Sequence, residues 1–320
     1  IIGTDEEALL RFIGQELEES NKAIPRLWAS AKMHKNPIKF RFIAGAKRAS
    51  TKQLAVTLAR VLTLLQTHWY RYIKVAGERA GLCFAWSISN STQATQMLRT
   101  ARGNRNNIAV VADFSTLFTA LDHGDIYRHI DAIIDRLFKH SGHKYITPSQ
   151  KAYFHSDEKR NSTKLCREDV KGILRHVVGN SHVSFAGNIF KQCKGVPMGS
   201  NSSSFIADLT LSHMEYLYLS NPRNSRNAHQ LKHTVRYIDD IASFWSPALR
   251  EVHSDIYPVS LPLTFNEGTG IANYLDLSIN PLTCRTTVFD KRRVFNFDVI
   301  RLPEKSSNQP GRFGTYTFFS

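Results

Sequence analysis

Apolar residues recur at helical spacing in three stretches of the chain. The first stretch follows the polar pair Ser50-Thr51 and predicts an amphipathic helix with its own N-cap. The second lies shortly after residue 120. The third follows Gly199 and ends before the break at residues 221–224. The positions that carry this spacing are Leu54, Leu58, Val61, Leu62 and Leu65, then Ile126, Ile130, Ile133, Ile134 and Leu137, then Phe205, Ile206, Leu209, Met214 and Leu217.

Other stretches have the apolar pattern of strands. Residues 108–114 are almost all apolar, which predicts a central strand buried on both faces. Residues 235–244 are a largely apolar run interrupted by the adjacent Asp239 and Asp240, which predicts a hairpin with the acidic pair at or beside its turn. A strand or hairpin is expected at 183–190, short strands at 274–279 and 288–300, and a hairpin with alternating cations at 35–43. Helices and hairpins mixed in this way predict an α+β fold.

Between residues 141 and 181 the chain becomes polar and basic, which predicts a surface insertion. The whole chain has 320 residues, of which 42% are hydrophobic, so we expect two or three packed subdomains that share one core. No apolar run approaches the length needed to cross a bilayer, so a membrane partner is not expected. Since the chain begins at Ile1 and not at Met, we expect it to be a processed product or a piece of something longer.

The charge of the chain predicts a polyanionic partner. There are 42 basic and 27 acidic residues, a formal net charge of +15. The basic residues are dispersed and do not lie on one amphipathic helix, which favours nucleic acid over an anionic membrane. The four cysteines have no spacing typical of a zinc or redox site, so we expect free thiols in a reducing compartment, nuclear or cytoplasmic.

Three carboxylates are the main candidates for chemistry. If neighbouring strands bring Asp113 beside Asp239 and Asp240, two Mg²⁺ ions could be held between them and substrate phosphates. That arrangement would support nucleotidyl transfer. Each residue also has a plain structural explanation, because Asp is common in turns and Asp113 could be the N-cap of a following helix.

Two further segments suggest phosphate binding. Residues 194–203 contain Gly195 and Gly199 and open a helix, whose free N–H groups suit anions. The hairpin at 35–43 carries Lys35 and Arg41, which could hold a triphosphate. A plain turn with a cap and a solvated basic face are the alternative explanations of these two segments.

The order and composition of these segments resemble the successive motifs of reverse transcriptases, over residues 25–310. The likeness is greatest to the Penelope-like retroelements, a group similar to telomerase reverse transcriptase. Two flanking segments, Ala31-Lys32-Met33-His34-Lys35 and Phe289-Asp290-Lys291-Arg292-Arg293, also resemble that group. The motifs are Arg41-Phe42-Ile43, Asp113-Phe114-Ser115-Thr116-Leu117-Phe118-Thr119, Gly195-Val196-Pro197-Met198-Gly199-Ser200, Arg236-Tyr237-Ile238-Asp239-Asp240 and Tyr274-Leu275-Asp276-Leu277.

The resemblance implies a role for each matching residue. Asp113, Asp239 and Asp240 match the catalytic, metal-binding aspartates, and the main chain of Phe114 would complete one metal shell. Phe118 matches the aromatic residue that excludes a 2′-hydroxyl, with Phe in place of the more usual Tyr. The deoxynucleotide would be bound by Lys35, Arg41, Phe118, Met198, Gly199 and Ser200. Nucleic-acid contacts are expected from Tyr237, Lys194 and Arg236, a structural role from Asp276, and a position near the primer grip for Phe295-Asn296-Phe297.

The resemblance also implies a domain plan, a right-hand polymerase with fingers and an antiparallel palm sheet. Only about twenty residues follow the Arg301-Leu302-Pro303 stretch, so the thumb would be missing or truncated. The expected boundaries are fingers at 1–105, the first part of the palm at 106–140, an insertion or fingers–palm connection at 141–190, the second part of the palm at 191–284, and the primer-grip region with the start of the thumb at 285–320.

The implied function is RNA-directed DNA polymerase of a retroelement, adding dNTPs to a primer 3′-hydroxyl with two Mg²⁺ ions, or Mn²⁺ as a substitute. Its partners would be an RNA template, a DNA primer or RNA/DNA hybrid, and further endonuclease, RNA-binding or thumb domains outside this chain. The alternatives are an inactive or domesticated fold that binds RNA as a scaffold, and a telomerase-like enzyme. An RNA-dependent RNA polymerase is a lesser alternative, which the bulky Phe118 disfavours.

Overall fold

The structure, a computed structural model, describes residues 23–32, 37–46, 49–101, 105–157, 163–266 and 270–290. The helices are α1 (Lys52–Ala80), α2 (Ser91–Thr100), α3 (Leu117–Ala120), α4 (His123–Ser141), α5 (Arg167–Gly179), α6 (Ser203–Leu219), α7 (Ser225–Gln230) and α8 (Ala248–Ile256). The strands are β1 (Leu27–Lys32), β2 (Lys39–Ala44), β3 (Ala109–Phe114), β4 (Tyr145–Thr147), β5 (Tyr153–His155), β6 (His182–Phe185), β7 (Asn188–Lys191), β8 (Thr234–Tyr237), β9 (Asp240–Phe244), β10 (Leu263–Asn266), β11 (Ala272–Tyr274), β12 (Leu277–Ile279) and β13 (Thr286–Val288).

A four-stranded antiparallel sheet in the order β10-β3-β9-β8 is the centre of the molecule. Its two inner strands alternate between two apolar layers, as the pleat requires. Val110 and Ile241 face the large core shared with the long helices, whereas Val111 and Ala242 face a smaller cluster with α2 and the β11-β12-β13 sheet. The predicted central buried strand is therefore confirmed, and so is the mixed fold with antiparallel sheets.

The long helices form from the apolar stripes seen in the sequence, and the stripe residues of α1 and α4 are buried in the large core. The predicted N-cap of α1 is wrong in one respect, since Thr51 makes no side-chain capping hydrogen bond. At α4 the cap is present, because the Asp122 carboxylate accepts hydrogen bonds from the amides of Gly124 and Asp125.

The expected surface insertion at 141–181 is wrong for much of its length. Helix α5 lies within it, and one face of that helix is buried in the large core, at Val170, Ile173, Leu174, Val177 and Val178. The polar composition of this segment reflects the exposed face of an amphipathic helix, since only one stripe of such a helix must be apolar.

Some expectations concern residues outside the described ranges. These are Lys35, the segment 291–300 with its predicted strand and primer grip, and the start of a thumb. All four cysteines are described and are free thiols, as expected. None of the helices in the described ranges is long and apolar enough to span a membrane.

Candidate functional site

The candidate carboxylates lie at one end of the central sheet. Asp113 near the end of β3 is paired in register with Asp240 at the start of β9. Asp239 precedes Asp240 in the tight turn that joins β8 to β9, and its carbonyl accepts a hydrogen bond from the Phe114 amide at 3.0 Å. The antiparallel pairing therefore brings the main chain of all three aspartates to one place, although Asp113 and Asp239 are separated by more than a hundred residues in sequence.

The turn of this hairpin is strained. Tyr237 pairs with Asp240, which leaves Ile238 and Asp239 as the two turn residues. Ile238 has φ +53°, whereas Asp239 does not have a positive φ, a combination typical of a type II′ turn. A β-branched residue is rare in the left-handed region and costs on the order of 1–3 kcal/mol there. Surrounding contacts must therefore hold the turn in this conformation.

Arg236 supplies such a contact from beneath the turn. Its side chain is 0% exposed, and its Nη1 donates a hydrogen bond to the Ile238 carbonyl at 3.1 Å. The guanidinium also bonds to Glu215 (Nε–Oε1 2.5 Å) and to Asp208 (Nη1–Oδ1 2.8 Å), both on α6. The prediction that Arg236 contacts nucleic acid is wrong, because its charged group is enclosed by the protein and neutralised by these two carboxylates.

The pKa values of the two carboxyls around Arg236 are shifted in opposite directions. Burial would raise the pKa of Asp208, but Arg236 and the donors Tyr70, Gln66 and Ser87 outweigh it and lower this pKa. For Glu215, burial is the largest effect and leaves the pKa raised in spite of Arg236 and the Tyr257 hydroxyl. These acids were not recognised from the sequence, although two acidic residues inside the apolar helix α6 are a signal for a buried ion pair.

A second hairpin supports the site from the other layer. The buried Tyr274 donates a hydrogen bond from its hydroxyl to the Asp240 carbonyl at 3.3 Å. Burial and the nearby Asp240 raise the pKa of Tyr274, so the phenol stays protonated and remains a donor at neutral pH. Asp276 in the same hairpin accepts a main-chain hydrogen bond from Phe289 at 2.7 Å, which agrees with the structural role expected for this segment.

The donor set at the sheet end suits a hard divalent cation, because carboxylate and main-chain oxygens are the ligands that Mg²⁺ prefers. Within the described ranges, no three or more His, Cys, Asp or Glu side chains are grouped as metal ligands. Magnesium sites in nucleotide-binding enzymes commonly use one or two carboxylates with substrate phosphates, and do not need an all-protein cage. The paired aspartates fit that kind of site. The N-cap interpretation of Asp113 is wrong, since Thr116 precedes α3 and Asp113 belongs to β3.

The glycine-containing loop connects two other predicted parts of the site. The Val196 amide donates to the Phe118 carbonyl at 2.7 Å, and the Ala44 amide on β2 donates to the Met198 carbonyl at 2.9 Å. Gly195 and Gly199 both have positive φ, at +78° and +117°. A Cβ at either position would lie 2.4 Å from a carbonyl oxygen, that of Phe118 or that of Ala44. Only glycine fits both contacts, so the plain-turn interpretation of this loop is incomplete.

The other predicted substrate and nucleic-acid residues in the described ranges are half-buried or exposed. Phe118 is half-buried, Ser200 is also half-buried, and Arg41 is exposed on β2, the strand bonded to the loop through Ala44. Lys194 is exposed just before Gly195. Tyr237 is half-buried and, with Ile238, lines a cavity of about 320 Å³ that reaches Asp208.

Comparison with solved structures finds telomerases of two Candida species. Telomerase from Candida albicans in complex with a TWJ fragment of telomeric RNA matches with a TM-score of 0.56 and 14% identity, over 88% of this chain and 49% of that chain. Apo telomerase from Candida tropicalis matches with a TM-score of 0.54 and 14% identity, over 89% of this chain and 50% of that chain. Apo telomerase from Candida tropicalis truncated from its C-terminal domain matches with a TM-score of 0.52 and 14% identity, over 82% of this chain and 54% of that chain.

This chain thus spans about half the length of the telomerases it matches. No protein-family model and no curated protein sequence matches it. At 14% identity the likeness concerns the fold alone, and it does not assign the chain to the Penelope-like group. The protein therefore has a fold of helices and antiparallel sheets similar to that of telomerase.

Proposed function

We propose that this protein is an RNA-directed DNA polymerase that adds deoxynucleotides to a primer 3′-hydroxyl. The observation that carries the proposal is the pairing of Asp113 with Asp240 across β3 and β9, with Asp239 in the adjoining turn. The similarity in fold to telomerase supports a polymerase, and one matched telomerase structure contains RNA. The sequence motifs favour the reverse transcriptase of a Penelope-like retroelement, and a telomerase-like role is the second candidate because of that fold.

Each part of the site has a task in this proposal. Asp113, Asp239, Asp240 and the Phe114 main chain would hold Mg²⁺, which when bound lowers the pKa of the attacking hydroxyl and stabilises charge on the leaving pyrophosphate. The Arg41 guanidinium would bind the triphosphate bidentately. Phe118 would lie under the sugar, and the loop from Gly195 to Ser200 would support the templating base. A basic surface would hold the RNA/DNA hybrid by its backbone.

The scaffold alternative explains the site less well. Neighbouring carboxylates repel each other, and they would also repel the phosphates of a bound RNA. A protein that only binds RNA gains nothing from Asp113, Asp239 and Asp240 at one sheet end, or from a strained turn there. A cation that joins the carboxylates to phosphate would give the arrangement a use in polymerisation.

The test is primer extension on an RNA template with Mg²⁺ and dNTPs, with Asp239→Asn as the variant. Asparagine keeps the main-chain bond to Phe114, so the hairpin should persist while a charged metal ligand is lost. We expect extension to fall by roughly a thousandfold or more, with hybrid binding changed less than about twofold, because a lost charge contact of about 4 kcal/mol has that effect on rate. Parallel reactions with rNTPs test the RNA polymerase alternative, which Phe118 disfavours.

The chain offers a matched control in Asp276→Asn. Tyr274 pairs with Leu277, so Asp276 is the second residue of a two-residue turn, just as Asp239 is. The residue before each aspartate has a positive φ, +55° at Leu275 and +53° at Ile238. The main-chain carbonyl of each aspartate also accepts a hydrogen bond from a main-chain amide. This variant should retain extension. Equal loss in the two variants, or extension in Asp239→Asn above a tenth of wild type, would contradict the assignment of the carboxylates.

A further inference from the structure

A large polar cavity lies at the opposite end of the central sheet from the aspartates. Its volume is about 560 Å³, and it is formed where β3 begins and β9 ends, with α7 and the start of α8 along its sides. From Ile108 in its wall to Asp113 there are five residues of extended chain, or about 17 Å. A group bound in this cavity would be too far from Asp113 to be the reacting nucleotide.

The wall of the cavity is held in place by a set of specific contacts. Trp245, which follows β9, has φ +67° and is half-buried. Its amide donates to the Ile108 carbonyl at 2.8 Å, its carbonyl accepts from Asn106 at 3.0 Å, and its indole N–H donates to the Pro281 carbonyl at 2.8 Å. The His233 ring meets the indole edge to face, with centroids 4.7 Å apart. The cavity is thus a built depression, not a gap between loose side chains.

The lining of the cavity includes two arginines. Arg105 and Arg226 are exposed there, and no carboxylate of the described residues forms an ion pair with either guanidinium. His229 and His233 add ring nitrogens, and Glu251 is the acidic residue of the lining. Arginine forks match the geometry of phosphate oxygens, and they bind a phosphodiester better than an apolar or cationic ligand.

We infer that this cavity, with Arg105 and Arg226 as its phosphate contacts, binds the backbone of an RNA strand outside the primer–template duplex. RNA is favoured over a small anion because the cavity is open to solvent and the chain carries a net charge of +15, which suits a long polyanion. The site is separate from the carboxylates. Its existence does not depend on polymerase activity.

The experiment is a fluorescence-anisotropy titration of a labelled, unpaired single-stranded RNA with the full chain, in the absence of metal and dNTPs. The variant is Arg105→Gln with Arg226→Gln. Loss of two phosphate contacts to a single strand should reduce the slope of log K against log salt by about 1.4, and weaken binding roughly 25-fold at 0.1 M salt. Unchanged thermal melting would show that the fold is intact, as expected for exposed side chains.

The control is Arg71→Gln with Arg79→Gln, two exposed arginines of α1 that give the same change in net charge. These should change the affinity less than about threefold. Equal weakening by both pairs, or no weakening by the first, would overturn the site. Displacement of the RNA by poly-glutamate of equal charge as readily as by unlabelled RNA would also overturn it, because the cavity would then suit an acidic polypeptide. Since no nucleotide is incorporated in the assay, failure here and failure of primer extension are distinguishable.

Discussion

At the scale of single residues, the protein depends on glycine where two segments of main chain approach each other. Gly195 lies against the Phe118 carbonyl and Gly199 against the Ala44 carbonyl. These contacts connect the loop before α6 with β2 on one side and α3 on the other. The glycines could be recognised from the sequence as turn residues, but the opposing carbonyls belong to distant segments and only the folded chain brings them close.

We expect Gly195→Ala to destabilise the protein more than Gly187→Ala. Both positions have positive φ, at +78° and +80°, so both substitutions carry the same backbone penalty of about 1–2 kcal/mol. A Cβ at Gly187 has no heavy atom within 4 Å, whereas one at Gly195 would meet the Phe118 carbonyl. Overpacking of that kind adds roughly 1–3 kcal/mol.

Urea unfolding of the two glycine variants measures the difference in their free energies of unfolding. Equal losses of unfolding free energy would mean that the loop can move away from Phe118 without cost. The close approach of Gly195 to Phe118 would then not contribute to stability.

At the scale of elements, the hairpin β8-β9 is fixed to α6 by the buried Arg236. The Arg236 guanidinium lies between Glu215, which is 0% exposed, and Asp208, which is 4% exposed, and it also reaches the Ile238 carbonyl. One side chain therefore neutralises two buried carboxylates and supports the strained turn. The sequence predicted the hairpin, but it gave no indication that the arginine beside the acidic pair faces inward.

Arg236→Met should lower the free energy of unfolding by about 3–5 kcal/mol, because it leaves two buried carboxylates without a cation. The triple variant Arg236→Met, Asp208→Asn, Glu215→Gln removes all three charges and should recover much of the loss. Urea denaturation of both variants gives the comparison. A single variant that loses less than 1 kcal/mol, or a triple variant no more stable than the single one, would contradict the account of this ion network.

At the scale of the whole molecule, one core joins the long helices, and a buried histidine pair lies within it. His129 on α4 and His213 on α6 face each other with their Nδ1 atoms 2.8 Å apart. One nitrogen must donate and the other accept, so the acceptor ring is neutral, and protonation of its Nδ1 would set two N–H groups against each other. Burial is the largest cause that lowers the pKa of His129 to about 4 and that of His213 to about 3, with Arg128 and Arg136 acting in the same direction.

The stability of the protein should therefore fall on mild acidification. A histidine whose pKa is lowered by folding contributes stability that is complete above its unfolded value of 6.5 and is lost as the pH falls toward 4 for His129 and 3 for His213. Each ring contributes up to about 1.4 kcal/mol per pH unit in this window. Asp208 affects the stability of the protein in a lower pH range than the histidines, because its lowered pKa lies below the usual value of an aspartate.

Denaturation between pH 7 and pH 4.5 measures this slope, with His213→Gln as the variant. Removing one titrating ring should reduce the contribution of the histidine pair to the slope by about half, whereas His140→Gln, at an exposed position of α4, should leave that contribution unchanged. A slope that is the same in His213→Gln and in the wild-type protein would show that the pair does not govern acid stability.

Much of the architecture followed from local pattern. Apolar spacing located α1, α4 and α6, the unbroken apolar run located β3, and the acidic interruption located the turn between β8 and β9. The core role of α5 was missed because an amphipathic helix with a wide polar face resembles a surface segment in composition. The inward direction of Arg236 was missed because burial of a charge depends on partners far away in sequence.

The sequence by itself determined where the turn at Asp239 lies. The same tripeptide pattern of Tyr, an aliphatic residue and Asp makes a two-residue turn at Asp276, where the sequence had predicted a strand over 274–279. The acidic interruption of an apolar run is sufficient to locate such a turn, whereas the positive φ of its aliphatic residue depends on the contacts around it. Only the tertiary structure decided which of the two turns lies beside a further carboxylate, because Asp113 reaches Asp240 through the pairing of β3 with β9. A short hairpin forms from neighbours in the chain, whereas a site shared between distant strands depends on the order in which the whole sheet is assembled.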